Sequence, residues 1–134
     1  MNRVIKFRAW DSANEEMKKV KILNWSYPSG LEVNNTNVSL PDTLMQFTGL
    51  QDKNGVDIYE GDVVNVLTKY PNVIESKGVV EFHNGTFRVK HKQMDFENTY
   101  HSYSIDNFCY DGQAQKLEVV GNVWDNPELF GDGE

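Results

Sequence analysis

Apolar and polar positions alternate with a period of two through most patterned stretches of this chain, and no long segment carries an amphipathic helical repeat. In residues 4–10, Ile5, Phe7 and Ala9 fall on one side and Val4, Lys6, Arg8 and Trp10 on the other, which predicts a strand. The polar run Asp11-Ser12-Ala13-Asn14-Glu15-Glu16 turns the chain into a returning strand over 17–23, with Lys18, Val20 and Ile22 on the expected core side. Strands are also expected over 63–67, 78–82, 86–90 and 117–124. His83-Asn84-Gly85 joins two of them into a hairpin, because Asn and Gly accept the positive φ that a tight turn demands. Residues 94–110 hold Phe96, Tyr100, Tyr103, Phe108 and Tyr110 without a clear period, so a short helix and an irregular strand both fit. Asn126-Pro127 has the form of a helix cap followed by a first-turn proline.

The densest pattern lies in residues 44–64. Asp52-Lys53-Asn54-Gly55 is a tight-turn signature, in which the Asp side chain can bond the backbone ahead of it. Glu60-Gly61-Asp62 is a second turn, feeding the β-branched run Val63-Val64-Asn65-Val66. Gly49, Asp52, Asn54, Gly55, Gly61, Asn84 and Gly85 are therefore assigned to turns or irregularities of strands. Between residues 24 and 43 only turn punctuation is visible, and an irregular loop is expected there. The segment 131–134 is expected to fray.

Many short strands separated by Gly and Asn turns predict a mainly β fold, a small barrel or sandwich-like domain with long loops and at most short helices. A chain of 134 residues is expected to form one domain, 1–134. Its single cysteine, Cys109, cannot form an internal bridge, and the first residues lack an apolar run suited to a signal peptide, so a cytoplasmic protein is expected. Asn-x-Ser/Thr triplets at Asn24, Asn34, Asn37 and Asn84 are then chance matches. A net charge of −7 disfavours general binding to nucleic acid. Local exceptions are Arg88, Lys90 and Lys92, which share one face of a strand, and Lys6 with Arg8 near the N-terminus.

Three motifs carry a family resemblance: Lys6-Phe7-Arg8-Ala9-Trp10-Asp11, the block 44–64, and Leu117-Glu118-Val119-Val120-Gly121-Asn122-Val123 followed by Asn126-Pro127-Glu128-Leu129-Phe130. Together they resemble the YopX family of bacteriophage and prophage proteins. The resemblance implies a β-rich, barrel-like domain, a phage or prophage origin in a bacterial host, and homo-oligomerisation. It implies no activity, cofactor or catalytic residue.

Asp52-Lys53-Asn54-Gly55-Val56-Asp57 superficially matches a calcium loop, but Gly55 and Val63 stand where an EF-hand register does not allow them. His83, His91 and His101, with Asp95, Glu97 and Cys109, lack close ligand spacing, so neither a metal nor a cofactor is expected. No nucleophile, base and oxyanion donor are spaced for catalysis, and a non-enzymatic accessory protein acting through protein contacts, copies of itself included, is the leading expectation. The alternative is a nucleic-acid-binding module on residues 87–92. There Arg88, Lys90 and Lys92 would hold phosphates while Phe96 or Tyr100 stacked bases.

Overall fold

A computed structural model of the chain describes residues 3–26, 30–34, 36–37, 44–67, 73–92 and 100–129. It divides into two compact units, Met1–Phe47 and Thr48–Glu134. The fold is mainly β, with 61% of the described residues in strands and 7% helical, so its helices serve only as short turns.

In the first unit β1 (Phe7–Asp11) and β2 (Glu16–Lys19) form the expected antiparallel hairpin, with Trp10 opposite Met17. Asp11 organises its turn. Its Oδ1 accepts the backbone N–H groups of Ala13 and Asn14 at 3.1 and 3.2 Å, and its Oδ2 lies 3.0 Å from Lys18 Nζ. The returning strand ends at Lys19, short of the 17–23 that alternation suggested. Val20 still packs with Ala9, Leu23 and Leu44, but Ile22 is 47% exposed, because the strand period no longer holds beyond Lys19. β1 also pairs with the start of a long strand, placing Arg8 opposite Met45.

The segment expected as an irregular loop contains a meander: β3 (Leu23–Ser26), β4 (Gly30–Val33) and β5 (Thr36–Asn37). Asn34, at φ +52°, explains why turn residues there do not imply a loop. Its Oδ1 accepts Lys21 N–H at 2.7 Å and Ile22 N–H at 3.0 Å, and its Nδ2 donates to the Lys19 carbonyl at 2.9 Å. One turn side chain thus ties the meander back to the end of β2.

β6 (Leu44–Gln51) runs across the boundary between the units. Within the second unit its latter half lies beside β7 (Asp57–Tyr59), where Thr48 Oγ1 donates to the Ile58 carbonyl at 2.8 Å. The remaining strands are β8 (Asp62–Leu67), β9 (Ile74–His83), β10 (Thr86–Lys92), β11 (Tyr100–Ser104) and β12 (Leu117–Asn122). They form a curled antiparallel sheet in the order β11-β10-β9-β8-β12. Val64, Val66, Val80, Val89 and Leu117 project from one face of it onto Ile58, Ile105, Phe108 and Ala114, making the core of this unit.

Residues 83–86 form the expected two-residue hairpin, with Asn84 at φ +53° and Gly85 at +80°. The unpatterned stretch 94–110, in its described part, resolves into β11 and a 3-10 turn at Ile105–Phe108. Ser104 caps that turn by accepting the Asp106 N–H. A second 3-10 turn, Pro127–Leu129, begins where Asn126-Pro127 predicted. Residues 131–134 lie outside the described set.

Candidate functional site

Strand β10 alternates as a half-buried strand must. Val89 and His91 are buried among the core residues and Phe87 packs against them, which puts Arg88 and Lys90 on the opposite face. Arg88 is engaged there. Its Nε donates to Ser102 Oγ at 2.9 Å and its Nη2 to the Ser102 carbonyl at 2.6 Å, while Ser102 Oγ donates to Glu81 Oε1 at 3.2 Å. The register sets this up, because Arg88 stands opposite Glu81 on β9 and two residues along from the Ser102 position on β11. A guanidinium with two of its donors committed to Ser102 has less to offer a phosphate.

Lys90 shares the Arg88 face in a half-buried setting, and Lys92 occupies the next alternate backbone position, opposite Tyr100, with its side chain outside the described set. Lys6 and Arg8 belong to the first unit, where Lys6 Nζ sits 4.5 Å from the centroid of the Phe47 ring. That contact stabilises the ammonium against the aromatic face. Phe96 lies outside the described residues, as does the Tyr100 side chain.

The aromatic residues gather on the core-side face of the same sheet. Phe82 and Phe87 stand directly opposite each other and meet edge to face, with ring centroids 5.2 Å apart. Tyr103, opposite Val89, stacks on His101 at 6.1 Å and lies 5.7 Å from the His91 ring. Towards the rim the core layer opens to solvent, leaving Phe82 53% and Tyr103 40% exposed. Phe82, Phe87 and Tyr103 thus lie on the face opposite Arg88 and Lys90, while the register places Tyr100 across from Lys92 on the cation face.

Of the histidines, His83 is exposed beside the hairpin tip, while His91 and His101 are cross-strand neighbours. His91, 4% exposed, meets Ser76 Oγ through Nδ1 at 2.9 Å and lies edge-on to Phe108. Asp95 and Glu97 fall outside the described residues. Among the described residues, no group of three or more His, Cys, Asp or Glu side chains is arranged to hold a metal. Cys109 Sγ donates to the Ile105 carbonyl at 3.3 Å, and burial, reinforced by the nearby Asp106 carboxylate, pushes its thiol pKa up. Such a thiol is a poor nucleophile at neutral pH.

A family model described as YopX protein matches residues 6–131. The chain belongs to the YopX family. A solved structure similar to this YopX chain is the crystal structure of protein EF1440 from Enterococcus faecalis. The similarity has a TM-score of 0.55 at 25% sequence identity, covering 97% of this chain and 100% of that one. No curated protein matches.

The turn residues of the YopX block take the places their chemistry suggested. Gly49, Gly55 and Gly61 have φ of +89°, +82° and +83°. Asp52 does more than a turn aspartate needs to do. It is 0% exposed, its Oδ1 accepts Asn54 N–H at 2.8 Å and Val56 N–H at 2.9 Å, and its Oδ2 accepts Val119 N–H at 2.8 Å. The first two bonds close the turn. The third reaches β12, where the register shifts between Val119 and Gly121. Lys53 N–H donates to the Leu117 carbonyl at 3.0 Å, and Asn126 exchanges bonds with Asn122 at 2.9 and 3.3 Å. The outward backbone groups of β12 are thereby occupied at Leu117, Val119 and Asn122.

Proposed function

We propose that this YopX-family chain is a phage or prophage accessory protein of the bacterial cytoplasm, without catalytic activity, that works as a protein-interaction domain and assembles with copies of itself. The observation that carries the reading is the exposure of Phe82 on β9 and Tyr103 on β11, two large aromatic residues on one face of the sheet, with Phe87 packed edge to face against Phe82. Large aromatic side chains left half in solvent on a rigid sheet are what protein interfaces concentrate at their centres. β11 strengthens the reading, because it is the outermost strand and Tyr-His-Ser-Tyr-Ser carries no lysine, proline or bulge of the sort that blunts an edge. Within the described residues no helix is long and apolar enough to cross a membrane.

Gel filtration with light scattering tests this directly. The wild-type chain should run as a multimer at micromolar concentration, and Phe82→Ser with Tyr103→Ser should lower the mass without altering the far-UV spectrum. A strictly monomeric wild-type chain would remove the self-assembly reading. The nucleic-acid alternative has less support, since Arg88 is engaged by Ser102 and the exposed rings of Phe82 and Tyr103 lie on the other face of the sheet. Salt-sensitive binding of an oligonucleotide that Lys90→Ala weakens would restore it.

A further inference from the structure

Asn84-Gly85 and Asn54-Gly55 are both Asn-Gly turns, yet their surroundings differ in a way that bears on covalent chemistry. Asparagine before glycine can lose ammonia when the glycine amide nitrogen attacks the side-chain carbonyl carbon, and glycine permits this approach because it has no Cβ to obstruct it. In the first turn, Gly55 N–H donates to the Asp52 carbonyl at 3.1 Å, Asn54 N–H is held by Asp52 Oδ1, and Asn54 Nδ2 points to Glu118 Oε2 at 3.5 Å. Its nucleophile and its leaving amide are both tied to buried or cross-strand partners. Both turns are exposed and a Cβ built on either glycine meets nothing within 4 Å, so it is the hydrogen bonds that set them apart. Among the described residues neither the Asn84 side chain nor the Gly85 N–H makes a hydrogen bond.

We propose that Asn84 is a site of spontaneous covalent modification, deamidating selectively in the folded protein. A bond forms between Gly85 N and Asn84 Cγ, the Cγ–Nδ2 bond breaks, and ammonia departs carrying the proton lost from Gly85 N. Water then opens the resulting cyclic imide at either carbonyl, leaving aspartate or isoaspartate at 84 with no change in oxidation state. Each product adds one negative charge beside His83. Isoaspartate also lengthens the main chain in a two-residue loop, between the paired rings of Phe82 and Phe87. The modification would loosen the hairpin end that presents Phe82.

The test is incubation of the full chain at neutral and mildly alkaline pH, followed by peptide mapping with mass spectrometry to time the conversion of each Asn-Gly. Folded protein should convert Asn84 at least about tenfold faster than Asn54, the margin expected when hydrogen bonds must break before Asn54 can react. In urea the two rates should converge, and Gly85→Ala should slow the site in both states. Conversion of Asn54 at a rate equal to or above that of Asn84 in the folded chain would overturn the proposal, as would a wide gap that persists in urea.

Discussion

Replacing Asp52 tests how the second unit is held together. Asp52→Ala removes the acceptor for three backbone N–H groups, those of Asn54, Val56 and Val119, from a position without solvent access. Each orphaned donor costs about 1–3 kcal/mol, and partial entry of water should limit the total to roughly 3–6 kcal/mol. That is a large share of the ~5–15 kcal/mol that holds most domains folded. Asp52→Asn is the sharper variant. It keeps an oxygen for Asn54 and Val56 but turns an NH2 group towards the Val119 N–H, so about 2–4 kcal/mol should be lost from a nearly isosteric change. Urea unfolding followed by tryptophan fluorescence reads both. The midpoints should fall in the order wild type, Asn, Ala with the slope unchanged, since the surface exposed on unfolding is the same. An Asp52→Asn loss below about 1 kcal/mol would refute the reasoning, because the bond to Val119 would then be dispensable.

Gly121→Ala should destabilise by about 1–3 kcal/mol through overpacking. The new Cβ would lie 2.5 Å from Asn126 Oδ1 and 2.8 Å from Leu129 Cδ1, and thermal unfolding with an unchanged midpoint would contradict that close approach. Asp11 should titrate at about 2, held below its ordinary 3.8 by the hydrogen bonds from Asn14 and Lys18. Because its folded value is depressed, its contribution to stability is present above 3.8 and lost as the pH falls through about 2. Carbon-detected NMR titration should show this, and Asn14→Ala with Lys18→Ala should return the midpoint towards the ordinary value.

The local devices of this fold were legible in the sequence, and the distant ones were not. Asn84-Gly85 fixed a hairpin, and Asn126-Pro127 started a turn, because the physics of each is contained in two or three adjacent residues. Asp52 carries only the local signature of a turn residue, since nothing near it in the chain announces that Val119 will arrive as a third donor. The same distance hid the Arg88–Ser102–Glu81 cluster, which joins three strands. Residues 24–43 misled for a different reason: turn residues mark the corners of a meander as readily as they mark a loop, and only the side chain of Asn34 decides between them. The opposition of Phe87 and Arg88 was available from period two alone, but the aromatics that matter, Phe82 and Tyr103, come from the strands on either side.

The closure of β12 has a bearing on polymerisation. A sheet with two receptive rims can add identical copies head to tail without limit, the geometry of a fibre. Here the Asp52 turn on one side of the bulge and Asn126 on the other occupy outward groups of β12 at Leu117, Val119 and Asn122, so an added strand would find that rim poorer in free groups than β11. One receptive rim per sheet favours assemblies that stop. Two copies joined at β11 would satisfy each other and leave a third only the poorer rim of β12.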